Sequence, residues 1–275
     1  MQKCRRTNEL YITLNDQNNI YLQRCCAASG EVISLDDFFN YSIDELSEIP
    51  INGHTLNERK SGCSNKCNFS KNIKTIFFNV INVCNIKCYH CCAGCDHKGL
   101  GNISFRKKQF FKIINTIKNA HLDSIGFDGT GEIFLFYKDL VSLLKTLTPN
   151  DTKDIRFLTN GTLLNEDRLK ELYQISKDTG INYRFGLSVD GLTKETYEKI
   201  RVGANFEHTI DIIDSIKNIF NNPPEIIFTI KKYNIQEVPF AKDFFIQLGC
   251  SYIEFLYDIF DSECGKYMPE DCRIG

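Results

Sequence analysis

The sequence predicts an α/β protein: a partial (β/α)6 barrel preceded by a small cysteine-rich α+β module. Three observations predict it. From Lys74 onward, six strand signals alternate with helix signals, the pattern of a parallel α/β sheet. Six units are too few for a closed eight-stranded barrel and suit an open one. Before Lys74, five cysteines sit among a hairpin and short helices, which sets residues 1–73 apart from the barrel at 74–260. A polar tail, 261–275, carries two more cysteines, Cys264 and Cys272.

The elements follow in order. Tyr11-Ile12-Thr13-Leu14 and Ile20-Tyr21-Leu22 flank a turn-rich connection and read as a hairpin. Ser34 and Ser42 stand before acid-led runs, the start signals of two short helices. The first barrel strand is the apolar run from Thr75 to Val83. Ser104 caps a helix with Phe110, Ile113, Ile114 and Ile117 on its apolar face. The second strand is Ser124–Asp128, followed by a helix marked by Phe136, Leu140, Leu143, Leu144 and Leu147. Ile155–Thr159 is the third strand, and Asn165 caps the next helix, with Glu166 and Asp167 complementing its dipole. Tyr183–Val189 is the fourth, followed by a helical face of Ile210, Ile213 and Ile216. Ile226–Ile230 is the fifth. Pro239 opens a helix whose apolar face is expected to be Phe240, Phe244 and Leu248, and Gly249 ends it. Tyr252–Leu256 is the sixth strand.

Composition narrows the function. The chain has 275 residues, 42% of them apolar, enough for one large domain with a small companion. Its net charge of −2 gives no reason to expect nucleic acid or an anionic membrane as partner. No apolar run is long enough to span a bilayer, and no secretory h-region follows Met1, so a cytoplasmic protein is expected. Thirteen cysteines are then an excess. Disulfides are rare in a reducing cytosol, so the thiols point to metal or catalysis. Cys250, after Leu248-Gly249, reads instead as a small buried hydrophobe.

The densest chemistry is Cys84-Asn85-Ile86-Lys87-Cys88-Tyr89-His90-Cys91, just past the end of the first strand. Three thiols spaced CxxxCxxC can wrap one metal centre. A [4Fe–4S] cluster usually takes four cysteines. Three leave one iron open, and an open position is where chemistry happens. Cys92 and Cys95 follow at once and could instead complete a four-cysteine zinc site. Within residues 1–73, Cys4, Cys25, Cys26, Cys63 and Cys67 offer the ligands of a saturated iron–sulfur cluster or, equally well, of a zinc knuckle.

The spacing Cys84, Cys88, Cys91, with aromatic residues between the last two, resembles the radical S-adenosylmethionine (radical SAM) superfamily. Three further stretches carry the resemblance, each after the expected strand. Asp128-Gly129-Thr130-Gly131-Glu132-Ile133 is similar to that family's GxGEP motif, with Ile133 in place of the proline. Thr159-Asn160-Gly161-Thr162-Leu163-Leu164 is similar to its TNG-x-L-L stretch. Ser188-Val189-Asp190-Gly191, followed by Arg201, resembles the S-x-D-G…R pattern of the SPASM/Twitch-related branch. The order of cysteines in residues 1–73 resembles the auxiliary-cluster module of that branch, although that module usually follows the barrel.

The resemblance covers about residues 74–257 and implies the following. Cys84, Cys88 and Cys91 hold a [4Fe–4S] cluster whose open iron is chelated by SAM. Gly129, Gly131 and Glu132 hold the SAM amino group, Ser188 the ribose and Arg201 the carboxylate, with Asn160 also at the cofactor. An electron from a donor such as flavodoxin or ferredoxin cleaves SAM, and the 5′-deoxyadenosyl radical takes a hydrogen from a small-molecule or peptide substrate. A second iron–sulfur cluster at the N-terminus accepts an electron or binds substrate. The reading from another class is a non-catalytic zinc- or iron–sulfur-binding module, for which Ser188 is a plain strand hydroxyl and Arg201 a solvated helix-end cation.

Overall fold

A computed structural model describes residues 9–14, 19–23, 31–48, 72–79, 83–89, 114–128 and 131–257 of the chain. The expected hairpin is there: β1 (Glu9–Leu14) pairs antiparallel with β2 (Asn19–Gln23), and β3 (Glu31–Ser34) continues on β2. The Ser34 hydroxyl accepts from Asp37 N at the start of α1 (Leu35–Phe38). Before α2 (Ile43–Glu48), Ser42 Oγ accepts from Glu45 N at 3.2 Å and Glu45 Oε2 from Ser42 N at 2.7 Å. That reciprocal pair satisfies two helix-end donors at once.

Six barrel strands follow: β4 (Thr75–Asn79), β6 (Leu122–Phe127), β7 (Thr152–Thr159), β8 (Asn182–Ser188), β10 (Glu225–Ile230) and β11 (Tyr252–Tyr257). They lie in sequential order, and every neighbouring pair is parallel. Two-residue strands β5 (Lys87–Cys88) and β9 (Arg201–Val202) form a separate antiparallel ribbon. A 3-10 turn at Ile133–Phe136 leads into α3 (Tyr137–Leu144). The other helices are α4 (Glu166–Thr179), α5 (Lys194–Ile200), α6 (Phe206–Phe220) and α7 (Val238–Gln247). Asn165 caps α4 as expected, its side chain accepting from Arg168 N.

The hairpin does not stand apart from the barrel sheet. β1 runs parallel to β4 from Glu9↔Thr75 to Thr13↔Asn79, so one sheet ladder crosses the boundary expected at residue 73.

The two faces of the sheet differ sharply. On the helix side, Phe78, Phe127, Phe157 and Phe185 are direct cross-strand neighbours, each at most 2% exposed. Phe134 and Phe220 from the covering layer pack onto this row. Full burial of each ring contributes about 1.5–3 kcal/mol, an upper value because the unfolded chain is not fully extended. On the other face stand Ser124, Asp154, Arg156, Arg184 and Glu225. Arg156 Nε lies 2.8 Å from Glu225 Oε2, and Arg184 Nη1 lies 3.1 Å from Glu225 Oε1. A parallel sheet buried on both faces reads as continuous apolar strands. Here the alternation gives the open barrel a polar, half-buried inner wall. Gly126 makes room on that wall: a Cβ there would lie 2.2 Å from the Phe77 ring, which stacks on Tyr11 with centroids 4.8 Å apart.

One expected face is corrected. In α7 the buried residues are Val238, Ala241 and Phe245, while Phe240 is 67% exposed. The helix is apolar on two stripes. The sheet takes the one with small Ala241, which lets the helix approach closely, and leaves the aromatic stripe at its border.

Cys250 is buried, as expected. Among the described residues no helix is long and apolar enough to cross a membrane. Several expectations lie outside the described residues: Cys4, Cys25, Cys26, Cys63, Cys67, His90, Cys91, Cys92, Cys95, His97, Gly129, the Ser104 helix start and the tail with Cys264 and Cys272. Of that first barrel helix, Ile114 and Ile117 are described, both fully buried.

Candidate metal and cofactor site

The cysteine loop is tied to three strand ends at once. At its start, Glu132 N donates to Val83 O at 2.9 Å, which binds it to the loop after β6. Next, Asn85 Nδ2 donates to Thr162 Oγ1 at 2.7 Å, and Asn160 Nδ2 donates to Asn85 Oδ1 at 3.1 Å, which binds it to the loop after β7. Then Cys88 pairs with Arg201 in the β5–β9 ribbon, and Tyr89 N donates to Ile200 O at 2.8 Å. That binds it to the end of α5, the helix after β8. All three anchors lie beyond the C-terminal ends of the strands, the end where barrels of this kind gather function.

Each described thiol of the motif has a side-chain donor. Asn160 Nδ2 lies 3.6 Å from Cys84 Sγ, and Arg201 Nη1 lies 3.7 Å from Cys88 Sγ. Donors aimed at sulfur favour the thiolate, the form that binds metal. Arg201 is 6% exposed, so it is not a solvated cation. Its Nη2 lies 2.6 Å from Asp190 Oδ2, and Asp190 is fully buried. Burial works against the guanidinium charge, but the Asp190 carboxylate and then the Cys88 thiol outweigh it and hold its pKa above the ordinary value. Arg201 Nε is buried with no hydrogen-bond acceptor among the described residues. Two sulfurs with donors and one spare buried cationic donor fit a metal–thiolate centre with an anionic ligand beside it. Among the described residues no third His, Cys, Asp or Glu joins them.

Glu132 is 1% exposed and faces the scaffold. Its Oε1 accepts from Phe134 N at 3.1 Å and Thr159 Oγ1 at 2.8 Å, and its Oε2 accepts from Asn160 N at 2.9 Å. Burial raises its pKa despite the hydrogen bonds from Asn160, Thr159 and Phe134 and the Arg201 charge. The carboxylate therefore fixes the backbone of Asn160, whose side chain meets Cys84. Gly131 stands beside it, half-buried, and Ser188 is half-buried at the end of β8.

Sequence reasoning named Cys84, Cys88, Glu132, Asn160 and Arg201, and the structure brings them together. It gave no role to Asp190, although the S-x-D-G stretch contains it. It missed Asn85, which has no signal of its own. It also missed Asn234, fully buried, whose Nδ2 donates to Asp190 O at 2.9 Å.

Gly191 makes the Arg201 geometry attainable. A Cβ there would lie 2.6 Å from Tyr197 N and 2.9 Å from its Cα, backbone atoms that cannot turn aside. Gly191→Ala should therefore push α5 outward and cost about 1–3 kcal/mol in a denaturant titration. A midpoint equal to that of the unchanged protein would show that the approach is not tight.

Comparison with known proteins adds the following. A family model described as the Radical SAM superfamily matches residues 78–245. The chain is similar to the "Probable GTP 3′,8-cyclase" of Methanocaldococcus jannaschii, 27% identical over 193 residues, 70% of this chain and 62% of that protein. It thus spans under two thirds of that relative's length. Among solved structures, "Native anSMEcpe with bound AdoMet" is 20% identical with a TM-score of 0.51, covering 66% of this chain and 50% of that one. Streptococcus suis SuiB bound to precursor peptide SuiA is 16% identical with a TM-score of 0.53, covering 98% and 66%. At such identities the structural likeness is one of fold.

Proposed function

The chain belongs to the radical SAM superfamily of enzymes, and we propose that it holds a [4Fe–4S] cluster on Cys84, Cys88 and Cys91, binds SAM beside it and abstracts hydrogen from a small molecule or peptide. When bound, the cluster supplies the single electron that cleaves SAM to methionine and a 5′-deoxyadenosyl radical. The observation that carries this reading is the cysteine loop anchored to three strand ends, with a side-chain donor on each described sulfur.

The chain's own residues divide the work. Arg201 and Asn160 stabilise thiolate charge, and Arg201 keeps a spare donor for the SAM carboxylate. Gly129, Gly131 and Ser188 line the cofactor, and Glu132 acts through the backbone of Asn160. Relatives named for GTP and a fold neighbour solved with a peptide leave both substrate kinds within reach. Residues 1–73 are proposed to hold a second iron–sulfur cluster, and a one-electron donor protein supplies the first.

The test is anaerobic reconstitution of the full chain with iron and sulfide. The unchanged protein should make 5′-deoxyadenosine from SAM with dithionite, and the Cys84→Ala/Cys88→Ala/Cys91→Ala variant should make none. A triple variant that still makes it refutes the ligand assignment. A colourless, zinc-loaded protein without SAM affinity would favour the non-catalytic module instead. Iron and sulfide kept by the triple variant would report the N-terminal cluster, and their complete loss would remove it. The full chain is needed because β1 loses its neighbour β4 in a 1–73 fragment.

A further inference from the structure

The cysteine loop opens onto a surface patch that the cofactor site does not use. Cys88 is 9% exposed, yet the next residue, Tyr89, is 61% exposed. The Tyr89 ring meets Tyr233 edge to face, with centroids 5.4 Å apart and planes at 87°. Tyr233 follows the end of β10 and is 37% exposed. Two ammonium groups, Lys199 from α5 and Lys232, each lie 5.0 Å from its ring centroid. Across the β5–β9 ribbon, exposed Lys87 stands opposite Val202, itself 49% exposed.

Three lysines thus surround a small apolar centre of Tyr89, Tyr233 and Val202, on a chain whose net charge is −2. Hydrogen bonding with Tyr89 first, and with Lys232 and the Lys232 and Lys199 charges after it, lowers the Tyr233 phenol against a small cost of burial. On α5, Glu198 Oε1 accepts from Phe206 N at 3.0 Å and lies 3.9 Å from Lys194 Nζ, while exposed Glu195 stands one turn before Lys199.

An apolar centre with a charged rim is the build of a transient protein interface, and small charge-steered patches serve redox encounters. The proposed reaction needs one electron from outside for each SAM cleaved. Lys87 and Tyr89 flank Cys88 directly, so this face is a short path from solvent to the metal centre. We propose that Tyr89, Tyr233 and Val202, rimmed by Lys87, Lys199 and Lys232, form the docking surface for an acidic one-electron carrier protein. The carrier is oxidised by one electron and the metal centre reduced by one; no bond or proton is transferred. The inference rests on the reductive reading of the preceding subsection.

The test uses the reconstituted full chain and a flavodoxin as probe. In Lys199→Glu/Lys232→Glu, 5′-deoxyadenosine formation driven by reduced flavodoxin at low salt should fall at least about tenfold and lose its ionic-strength dependence. The dithionite-driven rate should stay within about twofold, because a small reductant needs no docking surface. An unchanged flavodoxin-driven rate, or equal losses in both arms, overturns the proposal. Calorimetric binding of flavodoxin at low salt reads the surface without the chemistry. The unchanged protein should bind and the double variant should not, and failure of the unchanged protein to bind sinks the docking surface. If flavodoxin binds but dithionite yields no 5′-deoxyadenosine from the unchanged protein, the proposed function fails while the docking surface stands.

Discussion

Asp190→Ala is expected to destabilise the protein by about 3–5 kcal/mol, the cost of leaving a buried charge without its partner. Asp190 is fully buried and Arg201 is 6% exposed, 2.6 Å apart at the nearest atoms. The carboxylate also accepts from Thr229 N at 2.6 Å, which joins the β10 end to the loop after β8. Its removal leaves two groups stranded, the Arg201 guanidinium and the Thr229 amide. Arg201→Ala should cost a similar amount by stranding Asp190. The double variant should cost clearly less than the sum, because each single change already pays for the broken pair. Denaturant titrations of the three variants measure this cycle. Additive losses, or single losses below about 1 kcal/mol, would mean that the pair is far weaker than a buried one should be. In the Asp190→Ala protein the Cys88–Arg201 backbone pairing should persist, since it does not use the carboxylate. SAM affinity should nevertheless fall, because the guanidinium is no longer held against Cys88.

Much of this was legible before the structure, and the parts that were not have physical reasons. The strand–helix alternation, the Ser34 and Asn165 caps and the buried strand row arise within short windows, where period and cap chemistry decide. The cysteine loop was legible because three thiols at fixed spacing are rare. Its anchoring was not: Asn160 and Asn85 are 75 residues apart, and Arg201 and Cys88 are 113 apart. Nothing in a local pattern says which loops meet. The same distance hid the parallel pairing of β1 with β4, although the hairpin itself was plain. The stripe of α7 was misread because both of its stripes are apolar, and packing on the sheet made the choice. The resemblance of its motif expects Glu132 at the SAM amino group; its three scaffold hydrogen bonds become visible only when β6 and β7 lie side by side.

Glu132→Ala should lose at least about 3 kcal/mol, from three buried donors left unsatisfied at about 1–3 kcal/mol each. Those donors are Phe134 N, Thr159 Oγ1 and Asn160 N. Loss of the last frees the Asn160 backbone, so Cys84 should lose the amide that faces its sulfur. Glu132→Gln keeps the shape but turns a donor toward groups that need an acceptor, and it should recover only part of the loss. The pH dependence separates the two roles of the carboxyl. Burial raises its folded pKa above the unfolded value near 4.5. The stability carried by its protonated form is therefore fully present below about 4.5 and is lost as pH rises through the folded pKa. Stability of the unchanged protein minus that of Glu132→Gln should accordingly shrink as pH rises above 4.5. A difference that grows with pH would mean that the hydrogen bonds to the ionised form outweigh desolvation, and that Glu132 holds Asn160 as a fully charged strut.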